Sequence, residues 1–482
     1  MKDKGKRRVG VILAVAFIAV IVGYAFAQRW ATQTCADSGN ETAKTQVFAC
    51  GLIIAAGGTR DTPLGVAYNN RGVAHSYFDN AKALADYEMA IKLGAKDEIT
   101  LTNRADILYQ MGKFDQAIVS YSAAITHKAN YALAYCGRGN AYDSKGEYER
   151  ALADYDEAIR LNPSDAQAFN DRGYTRGNQE NYTAAIQDYS QATKLNRNYA
   201  NAYANRGYAY GSLYKYPQAI GNYSRALELQ PGFVFALVQR GYAYQNSNQA
   251  DLAFLDFDDV LKREPKNTEA LNGRGNAYAD QGDYDRAIVD FGSAIAIDPK
   301  YGAAYFDRAS AYANQDQHRR AIVDLDEAIR LMPKYARAWI HRGFSYRRLG
   351  EFDRAIADYD AGIALDPGSA DGYIKRCWVR ALANKELSTA LTDCNKALEL
   401  SPDDGDAREN RGLVHYRRGA YRIASADCDQ VLKSFNDAPV SLLVRGLAKR
   451  QLGDNKGGDA DVAAARALNE ALVKELAGYG IR

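Results

Sequence analysis

The chain has 482 residues, and its 61 Lys and Arg against 59 Asp and Glu leave a formal net charge of +2. That balance excludes a protein held to nucleic acid or another polyanion by bulk charge. Its five histidines (His75, His127, His318, His341, His415) show no ligand spacing and no nearby nucleophile. No Gly-rich phosphate loop, paired-cysteine metal motif or nucleophile elbow is present, so no metal, no cofactor and no enzymatic activity are expected.

In chain order, Lys2, Lys4, Lys6, Arg7 and Arg8 precede an apolar run from Val9 to Val22, and Ala25-Phe26-Ala27 follows ahead of Gln28. A basic start, an apolar core and a small-x-small triplet describe a secretory signal peptide over residues 1–27. Counted to Ala27, the run is also nearly long enough to span a bilayer as an uncleaved anchor. Cleavage is the preferred reading. Under either, the positive flank stays in the cytoplasm and the remainder is exported, so a periplasmic location is expected, with membrane contact only through an uncleaved N-terminus. The residues ahead of Cys35 (Ala31-Thr32-Gln33-Thr34) do not resemble a lipobox.

From residue 65 to residue 472 an arginine recurs. Arg71 and Arg104 are 33 apart; Arg104, Arg138, Arg172, Arg206, Arg240, Arg274, Arg308, Arg342 and Arg376 step by 34; Arg411 follows after 35 and Arg445 after 34. The next residue is always small: nine Gly, Ala105, Ala309 and Cys377. Bulky residues such as Tyr135, Phe169, Tyr203 and Trp339 stand three before, and Tyr142, Tyr210, Tyr244 and Tyr278 four after. Thirteen after comes alanine (Ala151, Ala219, Ala287), then an aromatic four later (Tyr155, Tyr223, Phe291), and Pro163, Pro231, Pro299 and others close the unit. Spacings of three, four and seven give each unit two helices with one buried stripe apiece. Gly146, Gly282, Gly350 and Gly419 mark the turn between them. A fixed period of this length is a stack in which each unit buries its apolar face only against its neighbours.

These columns resemble the tetratricopeptide repeat, matching its pattern at all but one position over roughly Leu64 to Asn469. The exception is the arginine, which stands where the family has Leu. The resemblance implies an all-α, right-handed superhelical solenoid of about twelve helix-turn-helix units with terminal caps. A cap segment is expected over 28–64, with Thr42 to Ala56 as a lone second helix, and a tail over 473–482 closing the last helix. A closing helix is expected from Ala460 to Leu476.

The arginine column lies one turn before the tyrosine column and therefore faces the helix interface. Asp154, Asp188, Asp256, Asp290, Asp324, Asp358 and Asp427 follow it by sixteen residues, and Asp86 by fifteen. Repeated Arg–Asp pairs are expected, bidentate where geometry allows, with an anion-binding arginine ladder as the alternative. Export would favour disulfides among the six cysteines. Cys35 and Cys50 flank a polar stretch behind the N-terminal run and are expected to pair. Columns holding Cys377 and Cys394 face each other in the resembled family, which implies a second disulfide. Cys428, in the same column as Cys394 one unit on, competes for it, and all four later cysteines can equally be buried hydrophobes.

The resemblance further implies an inner, concave surface lined by first helices, where the family binds extended peptides or protein surfaces. Tyr174, Tyr208 and Tyr242 occupy one lining position in consecutive units, with Phe344 and Trp378 further on and Asn140 and Asn276 flanking the trio. They are the candidate ligand-binding residues. Arg337, His341, Arg347, Arg348 and Lys375 form a candidate basic patch for a carboxylate or acidic segment. The expected function is an exported scaffold or adaptor recruiting protein or peptide partners of the cell envelope. The alternative is a polysaccharide-binding or export accessory module that stacks sugar rings on the aromatic row.

Overall fold

A computed structural model describes residues 25–36 and 42–482. The predicted signal peptide or anchor lies outside the described residues, except for its last three. No described helix is long and apolar enough to cross a membrane. The described residues form helices and turns without strand. They divide into two compact units, one ending at Gln239 and one beginning at Arg240.

Twelve helix pairs follow one another in register with the arginines, from Leu64–His75 with Asn80–Lys92 to Pro439–Gln451 with Asn455–Leu468. The turn inside eleven of the twelve pairs holds a left-handed residue. Gly112, Gly146, Gly282, Gly350, Gly419 and Gly453 supply it, while Glu180, Tyr214, Asn248 and Asp316 hold φ of 58 to 61° at the same place. A residue with a Cβ costs about 1 kcal/mol or more there, so the column tolerates substitution at a local penalty. Many helices are capped by Asp or Asn: Asp97, Asp165, Asn267, Asp283, Asp404 and Asp454 accept backbone N–H bonds.

Within a pair, the second helix sets its ring directly on the small residue after the arginine. A Cβ added at Gly139 would come within 2.8 Å of the Tyr155 ring, and one at Gly207 within 2.8 Å of Tyr223. Tyr155, Tyr223, Phe257, Phe291 and Tyr359 are buried. Each second helix also packs on the first helix of the next pair within its unit, and neighbouring first helices touch one another as well. First helices therefore form the closer-packed, inner face of each unit.

The arginines tie this packing together. Arg71, Arg138, Arg172, Arg240, Arg274, Arg308, Arg342, Arg376, Arg411 and Arg445 each send Nε and Nη2 to both oxygens of one aspartate on their own second helix. The eight aspartates read from the sequence all take part, joined by Asp393 and Asp461. Most of these arginines use Nη1 to reach back to the preceding pair, as Arg172 does to Asp156 at 2.6 Å and Arg445 to Asp429 at 2.8 Å. Two depart: Arg104 meets Ser120, and Arg206 meets Asn222, Ser190 and Thr193.

At the N-terminal end, the helix 25–36 packs on Ala43–Ala55, and Cys35 and Cys50 bring their sulfurs to 2.16 Å. The sulfurs of Cys377 and Cys394 are 2.01 Å apart, in the slot that a ring on glycine fills elsewhere. Cys136 and Cys428 are buried and unpaired. At the other end the expected closing helix is two helices, Asn455–Leu468 and Glu470–Gly478. Asn469 breaks them, its side chain accepting the N–H of Leu472. The tail does not simply extend the stack. Val473, Leu476 and Ile481 are buried in one cluster with Leu382, Leu413 and Leu443. Tyr479 reaches the ring of Phe352, and Arg417 donates to the carbonyls of Tyr479 and Gly480. The tail thus crosses back over the first helices of the last three pairs and reaches the start of Phe352–Leu365, the second helix of the pair before them.

Candidate functional site

Beside this tail the inner face of the second unit opens into a cavity of about 240 Å³, lined by Phe344, Arg347, Ile374, Lys375, Trp378, Asp406, Glu409, Asn410 and Val440. Four consecutive first helices contribute: Ala336–Arg348, Ala370–Ala383, Gly405–Arg417 and Pro439–Gln451. The cavity gathers Phe344 and Trp378 of the predicted aromatic set with Arg347 and Lys375 of the predicted basic patch. Arg347 lies over the Phe344 ring at 4.9 Å. Among the described residues it has no hydrogen-bond acceptor and no ion-pair partner. Burial lowers its proton affinity, Arg348 adds to that, and Tyr359, Glu475 and Tyr479 act against it. A half-buried, unpaired guanidinium on an aromatic face is a ready seat for an oxyanion.

Opposite charge sits across the same cavity. Glu409 Oε2 accepts the backbone N–H of Ser441 at 3.0 Å and its hydroxyl at 2.6 Å, and burial raises the Glu409 carboxyl. Asn410 is buried and donates to the carbonyl of Ile374 at 3.2 Å. Lys375 is paired with Asp371. A second opening of about 430 Å³, shared at Asp406 and Glu409, continues along Asp404, Phe435 and Pro439.

The remaining patch residues are divided. His341 packs at a tilt on Phe306 with ring centroids 4.8 Å apart, and burial together with Arg337 and Lys375 pushes its pKa down to about 4, so it is neutral at pH 7. Arg337 lies over Phe306 at 5.5 Å. Arg348 points elsewhere, to Asp316 at 2.7 Å and His318.

In the first unit, Tyr174 and Tyr208 are 53% and 47% exposed, and Tyr208 leans on Phe235 with centroids 6.3 Å apart. Tyr242, in the second unit, is half-buried and donates to the carbonyl of Glu269 at 3.0 Å. Asn140 accepts from the Tyr155 hydroxyl at 2.6 Å and bonds Asp171, while Asn276 donates to Asp307 at 3.2 Å. Both asparagines thus bridge neighbouring first helices.

Those bridges expose a set that the sequence reading overlooked. Asp171 takes donors from Gln167 at 2.6 Å and Asn170 at 3.2 Å, and Asp307 takes Asn272 at 2.8 Å. Burial raises both carboxyls, Asp171 to about 6. The signal was available one residue before the arginine. That column reads Asn70, Asn103, Gly137, Asp171, Asn205, Gln239, Gly273, Asp307, His341, Lys375, Asn410 and Val444, polar in nine of twelve copies. A polar column in an otherwise apolar register marks a face that contacts something other than its own partner helix.

Family models of the tetratricopeptide repeat match residues 132–165, 268–301, 336–369 and 302–335, and a TPR repeat model matches 105–146 and 178–213. The chain carries tandem tetratricopeptide repeats. No curated protein sequence matches it. Among solved structures, an APC/C hetero-tetramer, Cut9–Hcn1, is similar with a TM-score of 0.52 at 14% identity, covering 90% of this chain and 92% of that one. YrrB, described as a TPR protein with an unusual peptide-binding site, is 27% identical over 38% of this chain and 95% of its own, with a TM-score of 0.34. A tetratricopeptide repeat protein from Parabacteroides merdae is 19% identical over 48% and 93%, with a TM-score of 0.42. A repeat array of this kind is a scaffold for protein interaction, and such folds are typically not enzymes.

Proposed function

We propose that this protein is an exported scaffold that holds extended segments of envelope proteins, and that the cavity at Phe344, Arg347 and Trp378 is its principal site. The observation that carries the reading is the unpaired Arg347 guanidinium seated on Phe344 beside Trp378. A segment bearing a carboxylate next to an apolar side chain would satisfy the guanidinium and cover the rings in one step. Glu409 and Asp406 on the far wall favour a basic group further along the same segment. Export is supported by the basic and apolar N-terminus and by two cysteine pairs at bonding distance, an arrangement suited to an oxidising compartment.

A random-peptide display selected on the full chain tests this, with Arg347→Gln and Trp378→Ala as controls. Acidic–apolar peptides are expected, with affinity falling by about tenfold or more in each variant. Added salt should weaken binding to wild type more than binding to Arg347→Gln, which keeps only the attraction of Glu409 and Asp406. Selected peptides indifferent to both substitutions would overturn the reading. Glycan binding is the second reading, supported by the two exposed rings of Tyr174 and Tyr208. Salt-insensitive glycan capture lost in Tyr174→Ala/Tyr208→Ala would put it first.

A further inference from the structure

The N-terminal cap carries an apolar surface that the repeat stack does not use. Phe26 and Trp30 are one helical turn apart on the helix 25–36, and Phe48 and Leu52 are one turn apart on Ala43–Ala55. Trp30 and Phe48 meet with centroids 6.5 Å apart, which joins the two rows into one ridge. All four are open: Phe26 is 74% exposed, Trp30 38%, Phe48 60% and Leu52 43%. An apolar cavity of about 260 Å³ lies alongside, lined by Ala27, Gln28, Ala31, Leu52, Ile53, Ala56 and Thr59. The inner side of the same two helices is fixed by Ala31, Cys35, Ala49, Cys50 and Ile53 packing toward Ala67. The ridge is therefore held on a rigid base.

We propose that this ridge seats on an anionic lipid bilayer, with the N-terminal run retained as the anchor that brings it there. Three observations name the occupant. The sequence from Val9 to Gln28 is uncharged over its whole length and leads directly into the ridge, so Phe26 and Trp30 stand at the end of a stretch long enough to span the hydrocarbon. Aromatic residues, tryptophan above all, collect at that boundary. The two cap helices contain no acidic residue and carry Arg29 and Lys44, both exposed, which suits anionic headgroups. The small-residue triplet that would serve cleavage, Ala25-Phe26-Ala27, is itself helical, and Ala27 lines the cavity against Leu52 and Ile53. Cutting after Ala27 would remove Phe26 and part of that wall. None of this depends on which partner the groove in the other unit takes, so failure of either proposal leaves the other standing.

The test uses the full chain, with the mass of the exported protein measured first. It is expected to begin at Met1 or its immediate neighbour; a chain beginning at Gln28 overturns the proposal. The protein is then reconstituted into vesicles of phosphatidylcholine and phosphatidylglycerol whose acyl chains carry bromine near the headgroup. Bromine is expected to quench tryptophan emission, and Trp30→Phe should abolish the quenching because Trp339 and Trp378 lie far along the chain. The anchor alone keeps Trp30 near the boundary, so the cap is read at position 48: Trp30→Phe/Phe48→Trp, with its circular dichroism unchanged, should restore the quenching. A tryptophan at position 48 that bromine does not quench shows an anchor without a seated cap, and overturns the proposal. So does Trp30 emission that bromine never reaches, including the case in which a second copy shields it from acrylamide in lipid-free micelles.

Discussion

An arginine placed between helices has five N–H donors to satisfy, and this chain satisfies them by a fork onto one aspartate and a third contact to the preceding pair. Arg308 and Asp324 show what removal would cost. The aspartate is buried, so Arg308→Leu strands a carboxylate away from water and should lower stability by about 3 kcal/mol, read from the denaturant midpoint. Arg308→Leu/Asp324→Leu should recover most of that. Arg206 is the informative contrast, since its partners are the neutral Asn222, Ser190 and Thr193, and burial lowers its own proton affinity. Asn222 keeps its bond to the Gln218 carbonyl when the arginine goes, so Arg206→Leu should cost about 1 kcal/mol or less. Equal losses at both sites would show that the pairs contribute packing and not charge. Asp171 gives a pH signature of the opposite kind. Burial outweighs its amide donors and raises its pKa to about 6, above the value of about 4 in an unfolded chain. Between those values the native state holds a proton that the unfolded state has lost, so this group makes stability fall as pH rises from about 4 to about 6. Asp171→Asn should flatten that slope in a pH series of denaturant midpoints.

Helix pairs are specified by which side chain meets the small column, and the copies change both partners together. Where the small residue is Gly139 or Gly207 a tyrosine ring lies on it; where it is Ala309, Leu325 stands opposite; where it is Cys377, Cys394 does. Ala105 keeps a ring opposite, and Tyr121 instead presses on Gly137 of the next pair, to which a Cβ would come within 2.4 Å. This coupling explains why the pairs were legible from sequence: the period repeats twelve times, and the turn glycine and the ring-on-glycine contact are local and recur in six and seven of the pairs. The candidate site was less legible, because lining a cavity depends on how four pairs accumulate. Phe344, Trp378 and Arg347 were found by their register, yet Tyr242 shares the register of Tyr174 and turns its hydroxyl onto the Glu269 carbonyl. Arg348, adjacent to Arg347, is drawn off by Asp316. Nor does any repeat column announce the tail, whose apolar residues cross to Phe352. The cysteines test the element scale directly. Denatured but unreduced protein should titrate two thiols of its six cysteines, Cys136 and Cys428. Cys377→Ser/Cys394→Ser should lose about 3 kcal/mol, as expected for opening a loop of 17 residues.

Stability in a stack of repeats is close to a sum of each pair's own stability and its contacts with neighbours, so damage should stay near its origin. The tail makes an exception that can be measured. Because Val473, Leu476 and Ile481 join Leu382, Leu413 and Leu443 in one buried cluster, residues 473–481 support pairs that begin a hundred positions earlier. Leu476 is 1% exposed, and Leu476→Asp would place a charge in that cluster. Native-state hydrogen exchange should then quicken in Ala370–Ala383, Gly405–Arg417 and Pro439–Gln451 together, and in Glu470–Gly478 most of all. Helices from Leu64–His75 to Tyr216–Leu229 should exchange as in wild type. Exchange that quickens only in Asn455–Leu468 and the tail would mean the crossing contacts add nothing. Exchange that quickens across the whole chain would mean that the stack opens as one cooperative body, and nearest-neighbour reasoning would not apply to it. The same variant loosens the wall beside Arg347, whose surroundings include Glu475 and Tyr479, so peptide binding at the cavity should weaken without any change to Phe344, Arg347 or Trp378 themselves.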